Sequence, residues 1–202
     1  MNRRAMMFQT RILAGLLLPL ALLACSQEPP PLEGAKIGGP FTLVDKTGAI
    51  VRWSDFAGRY RIVYFGFTFC PDACPMDVQA MMAGFRTFEQ ARPARAKKVQ
   101  PIFISIDPAR DTPQAVGEFA AAFHPRLLGL TGTGEQVAAA ASAFAAYYAK
   151  GEESAGGYLM DHSRAAYLMG PEGEPIALLP VGKGPPKEAA LAVAAELEKW
   201  VK

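Results

Sequence analysis

The chain has 202 residues, half of them hydrophobic, with 21 basic and 19 acidic side chains. That length and apolar content suffice for one domain with a substantial core. The near balance of charge leaves no basic stripe for nucleic acid and no acidic run of the kind that keeps a tail disordered.

The first segment reads as a targeting device. Arg3, Arg4 and Arg11 make a basic start, an apolar run follows from Ile12 to Ala24, and Leu22-Leu23-Ala24-Cys25 closes it. The run is too short to span a bilayer comfortably. Leu-Leu-Ala before a cysteine resembles a bacterial lipobox, in which Cys25 is acylated and becomes the first residue of the mature chain. The alternative is an ordinary signal peptide or an uncleaved anchor with Cys25 incidental. Without residues 1–24 the chain holds 18 basic and 19 acidic residues, a net charge of −1. Residues 25–39, with Pro29-Pro30-Pro31 and several glycines, read as a flexible tether, and residues 40–202 as the folded domain. Export with a lipid on Cys25 would hold that domain at a bacterial membrane facing the periplasm, where a thiol pair oxidises unless kept reduced or metal-bound.

Short β-like runs open the domain. Phe41 to Val44 and Ile50 to Trp53 flank the turn residues Asp45-Lys46-Thr47-Gly48, a hairpin pattern. Arg61 to Phe67 is apolar after its first residue and β-rich, as a buried central strand should be. From Pro75 to about Gln90 the apolar residues Met76, Val78, Met81, Met82, Phe85 and Phe88 recur at helical spacing, with Pro75 suited to the first turn. Pro101 to Asp107 reads as a strand and Pro113 to Phe123 as a helix capped by Thr112 or Asp111. Leu127 to Thr131 reads as a short strand and the alanine-rich Gly134 to Tyr148 as a helix. Tyr158 to Met169 and Pro175 to Leu179 are expected to form a hairpin around Gly170-Pro171-Glu172-Gly173, and Lys187 to Lys202 a closing helix. Strands alternating with helices imply an α/β sandwich on a mixed sheet.

Between the central strand and its helix lies Cys70-Pro71-Asp72-Ala73-Cys74, a C-x-x-x-C pair. On a helix the two sulfurs stand one turn apart, able to grip something between them or to oxidise to each other. A helix N-terminus favours the thiolate, so the thiol pKa is expected to fall there. The chain has only two histidines. His124, in a helix-ending turn before Pro125, reads as structural. His162 lies in a polar break near a strand edge. Two thiolates and one imidazole form a soft three-ligand set that suits copper, whereas zinc would usually take a fourth protein ligand. A surface role for His162 is the plain alternative. Met76, Met81 and Met82 read as helix core, and Met160 as core or an auxiliary soft ligand.

Several segments together resemble the Sco/SenC family of copper-binding assembly proteins. They are Tyr64-Phe65-Gly66-Phe67-Thr68-Phe69-Cys70-Pro71-Asp72-Ala73-Cys74-Pro75, Ser105 to Pro113, Leu128 to Gly132, and Asp161-His162-Ser163. The resemblance implies a thioredoxin-like three-layer α/β/α fold with Cys70, Cys74 and His162 as ligands of one copper ion, Cu(I) or Cu(II). It implies delivery of copper to the CuA centre in subunit II of cytochrome c oxidase. Further partners would be other periplasmic copper carriers or thiol reductants, and the membrane through the lipid. Asp72 and Asp161 would be supporting groups near the ligands, with loop solvation the alternative for Asp72. Such a protein would be a metallochaperone without turnover. The enzymatic alternative is a membrane-tethered thiol-disulfide oxidoreductase using Cys70 and Cys74, reducing the CuA cysteines or sensing redox state through a reversible disulfide bond. A thiol peroxidase, suggested by Thr68 two residues before Cys70, is a third reading.

Overall fold

The computed structural model describes residues 28–71, 73–154 and 157–202. Residues 1–24, Cys25 and Asp72 lie outside them. Four chain segments build most of the main sheet. These are β3 (Tyr60–Gly66), β4 (Val99–Ser105), β8 (Ala166–Met169) and β9 (Pro175–Leu179). With β5 (Leu128–Leu130) they form a five-stranded sheet in the order β5-β4-β3-β8-β9. β4 runs parallel to β3, and β8 antiparallel to it, so the sheet is mixed. All seven residues of β3 are buried, which is why its sequence, Arg61 apart, is apolar without alternation; the Arg61 guanidinium donates to the Gly170 and Pro171 carbonyls.

Two cores cover the two faces. Ile62 and Tyr64 point into one, shared with α1 (Ala73–Ala91), α3 (Pro113–Phe123) and α5 (Pro186–Trp200). Val63 and Phe65 point into the other, filled by α4 (Gly134–Ala143) and by an N-terminal hairpin of β1 (Thr42–Val44) and β2 (Ile50–Arg52). The result is the thioredoxin-like three-layer sandwich with an N-terminal β-hairpin. α1 and α5 lie close enough that a side chain on Gly84 would come within 2.6 Å of the Ala190 carbonyl oxygen. A short α2 (Pro93–Ala96) turns the chain from α1 into β4.

Three expectations change. α4 ends at Ala143, five residues early; Ala145 takes a left-handed φ of 50°, and Tyr148 already opens a strand. A run of small alanines carries little amphipathic signal to mark where a helix stops. The stretch from Tyr158 to Met169 is not one strand. β6 (Tyr148–Ser154) and β7 (Gly157–His162) pair with each other as a separate two-stranded sheet, and only β8 and β9 make the hairpin around residues 170–173. The described part of the expected tether lies on the domain: Leu32 N–H donates to Ile176 O at 3.0 Å and Gly38 N–H to Ala143 O at 2.8 Å.

Candidate metal centre

The in-register pairing of Tyr60 with Val99 through Gly66 with Ser105 brings β3 and β4 to an end side by side. The loop after β3 carries Cys70, and the loop after β4 carries Asp107, Arg110 and Asp111. Asp111 is buried and accepts from Thr68 N–H at 3.0 Å, from Thr68 Oγ1 at 2.5 Å and from Ser105 Oγ at 2.5 Å. It thus pins the chain two residues before Cys70. The Thr68 hydroxyl is committed to this carboxylate, which takes it away from the peroxidase role. Thr112 is the cap of α3, accepting from Ala115 N–H. Asp107 accepts from Arg110 Nε at 2.5 Å and from Tyr158 Oη at 2.7 Å. The Arg110 guanidinium lies 3.6 Å from the Tyr158 ring centroid and donates to Tyr158 O. The strand-end turn therefore also ties the cysteine loop to the β6–β7 hairpin.

Cys74 sits in the first turn of α1, fully buried, and Cys70 is half-buried before it; both are free thiols. Cys74 N–H donates to Cys70 Sγ at 3.3 Å, so the Cys70 sulfur takes one of the donors that a helix start leaves unpaired. His162 ends β7 and is half-buried. Its Nε2 lies 3.0 Å from Cys74 Sγ, 88 residues away in the chain, and its Nδ1 lies 3.0 Å from Ser163 O. A carbonyl only accepts, so Nδ1 carries the proton and Nε2 presents its lone pair to Cys74. The rings of Tyr64 and Phe67 stand edge-on to the imidazole at 6.2 and 6.0 Å. Among the described residues no three His, Cys, Asp or Glu side chains are already drawn together around a point. What is in place is the Cys74–His162 contact with the Cys70 thiol beside it.

The expected fall in thiol pKa does not hold for Cys74. Burial, reinforced by the neighbouring Cys70 thiol, pushes it above the ordinary value. Burial also pushes His162 down, against the opposing effect of the Ser163 carbonyl. Both are neutral near pH 7, a buried thiol beside a half-buried imidazole. A metal cation arriving there replaces the Cys74 proton.

Two residues near the centre carried no sequence signal. Asp77, one turn after Cys74 and 1% exposed, accepts Arg164 Nε at 2.7 Å, Arg164 Nη2 at 2.5 Å and Tyr64 Oη at 2.9 Å. Asp161 is exposed and pairs in register with Ala149, on the opposite face of β7 from His162. His124 is structural, accepting from Arg126 N–H through Nδ1 and packing on Phe85. Met81 and Met82 are core, Met76 is exposed, and Met160 packs half-buried beside the same core cluster as Cys70.

The family model described as SCO1/SenC matches residues 29–200. The Arabidopsis thaliana mitochondrial "Protein SCO1 homolog 1" is 42% identical over 146 residues, 72% of this chain and 43% of that protein. "Protein SenC" of Rhodobacter capsulatus is 44% identical over 138 residues, 68% of this chain and 61% of that protein. The chain spans about half the length of these relatives. Among solved structures, Arabidopsis thaliana ScoI with copper bound superposes with a TM-score of 0.72 at 37% identity, covering 81% of this chain and 99% of that one. Yeast Sco1 with copper bound gives 0.69 at 34% identity, covering 82% and 91%.

Proposed function

The chain belongs to the SCO1/SenC family, and we propose that it takes up one copper ion on Cys70, Cys74 and His162 and hands it to the CuA centre in subunit II of cytochrome c oxidase. The observation that carries this reading is the 3.0 Å approach of His162 Nε2 to Cys74 Sγ, with Nδ1 occupied by Ser163 O. That tautomer aims the imidazole lone pair where a metal between thiolates would sit. Two sulfurs and one nitrogen favour copper in its reduced state and, with an added oxygen ligand, Cu(II). Three protein ligands would leave a coordination position open to a recipient's ligands during transfer. Copper in the similar solved structures supports the same reading.

Titration of the reduced full chain in detergent micelles with copper tests it. One equivalent is expected to bind, and Cu(II) to give a thiolate charge-transfer band. Cys70→Ala and Cys74→Ala should each weaken binding by more than about 100-fold, beyond what a supporting residue contributes. His162→Ala should weaken binding while leaving the thiols and fold intact. Unchanged copper retention in His162→Ala would overturn the ligand set.

One observation favours a second reading: Cys70 is accessible, Cys74 is buried, and the Cys74 amide already touches Cys70 Sγ. A Cys70 thiolate could attack a disulfide between the CuA cysteines, and the Cys74 thiolate could then displace the mixed disulfide. Two electrons would pass to the partner, leaving a Cys70–Cys74 disulfide for a periplasmic thiol reductant to restore. Copper delivery needs reduced recipient cysteines, so the two activities are compatible. Exchange with an oxidised CuA domain, at equal rate in His162→Ala, would favour the redox role.

The same proposal places the domain at a membrane through acylated Cys25, after removal of residues 1–24. Among the described residues no helix is long and apolar enough to cross a membrane. Cys25→Ser should release the protein from the membrane fraction; retention there would refute the lipid anchor.

A further inference from the structure

We propose that Asp77 and Arg164 form a clamp that holds the His162 imidazole against Cys74, which makes them positioning residues for the metal centre. The functional consequence rests on the copper reading above; the clamp itself rests on geometry alone.

Among the described residues no backbone ladder of the central sheet reaches His162, and its contact with that sheet is the edge of the Tyr64 ring. Its strand pairs, among the described residues, with β6 alone, in a sheet of two, and none of its six residues is buried. Three residues then lead from His162 to Ala166, where β8 joins the main sheet, and the middle one is Arg164. On α1, Cys74 and Asp77 share a face one turn apart. Two cross-links therefore run between the same two segments, Cys74 to His162 at 3.0 Å and Asp77 to Arg164 at 2.7 Å. The first is a contact between neutral groups. The second is a two-pronged charge-assisted pair in which the planar guanidinium fixes both distance and direction.

Two further contacts stiffen the clamp. Tyr64 donates its hydroxyl to Asp77 and presents its ring edge to His162, so one side chain touches both cross-links. The loop after β9 closes over the pair at Gly182, where a Cβ would lie 3.1 Å from Arg164 Nη2 and 3.5 Å from Asp77 Oδ1. The carboxylate is buried, whereas the Arg164 side chain is 47% exposed. A pair serving only to neutralise Asp77 would leave the His162 ring indifferent to the identity of residue 164.

The test uses the reduced full chain in micelles and two readouts. The first is nitrogen-15 NMR of histidine in the metal-free protein. Wild type should show His162 as a single Nδ1–H tautomer, and Arg164→Ala should show averaging between tautomers. Arg164→Lys, which restores the charge but not the fork, should be intermediate. The second is copper affinity in competition with a chelator, expected to fall about 10- to 100-fold in Arg164→Ala, with the thiolate band kept and the histidine nitrogen coupling weakened in the Cu(II) resonance spectrum. An unchanged tautomer and unchanged affinity in a folded Arg164→Ala protein would overturn the clamp. Should Asp77, left alone, prevent that variant from folding, the double variant Asp77→Asn, Arg164→Gln removes both charges, and the same readouts decide. If wild type takes no copper, the copper reading fails, and the metal-free spectra still decide the clamp.

Discussion

Cys70 and Cys74 hang from the best-anchored strand of the molecule, and His162 from its least anchored hairpin. β3 is buried along its whole length and hydrogen-bonded on both edges. β7 is exposed at alternate residues, and among the described residues its strand ladder runs to β6 alone. One half of the centre is thus set by backbone ladders and a packed core. The other half is set by side chains reaching out to it: Tyr158 on Asp107, Arg110 on Tyr158, and Arg164 on Asp77. Local stability follows such differences in burial and bonding, so the two halves should respond differently to perturbation.

The largest difference should come from removing one anchor on each side. Asp111→Ala strips partners from Thr68 N–H and from the Thr68 and Ser105 hydroxyls. Unpaired buried donors cost about 1–3 kcal/mol each, and the hydroxyls can turn elsewhere, so urea denaturation should show a loss of about 3 kcal/mol. Tyr158→Phe removes one hydrogen bond from the hairpin and should cost about 1 kcal/mol or less, while loosening His162. Equal losses in the two variants would erase the contrast between the arms.

The same contrast governs what could be read from the sequence. β3, the helix after it and the α3 boundaries follow from patterns the core imposes: a continuous apolar strand, apolar residues at helical spacing, and a Thr-Pro start that both caps and fits a first turn. The cysteine motif lies between two such elements and was readable with them. The β6–β7 hairpin was not, because Lys150-Gly151-Glu152-Glu153 faces solvent and carries no alternation that a core would impose. His162 is legible as a histidine in a polar break near a strand edge, but its hairpin is not. Asp77 and Arg164 stood apart from any motif, 87 residues from each other; only the fold joins them. The direction of the Cys74 pKa is hidden from the sequence for a related reason: the helix start is visible there, but complete burial of that thiol is not.

The smallest effect separates the two arms by pH. Burial raises the Cys74 pKa in the folded state, so the neutral thiol favours folding, and that contribution is complete below the ordinary thiol value of 9.0 and lost as pH rises above it. Burial lowers the His162 pKa, so its contribution is complete above the ordinary imidazole value of 6.5 and lost as pH falls below it. The reduced, metal-free protein should therefore hold a stability plateau between these values and decline on both sides. Cys74→Ala should soften the decline just above pH 9.0; Tyr64, also raised by burial, titrates from an ordinary value of 10.0 and leaves that first part of the alkaline limb to the thiol. His162→Ala should soften the acid limb only in part, because buried His124 is shifted in the same direction and contributes there too. Urea midpoints measured across pH read both limbs. An alkaline limb unaltered in Cys74→Ala would mean that the buried thiol is not its source, and that the cysteine arm is wetter than its packing implies.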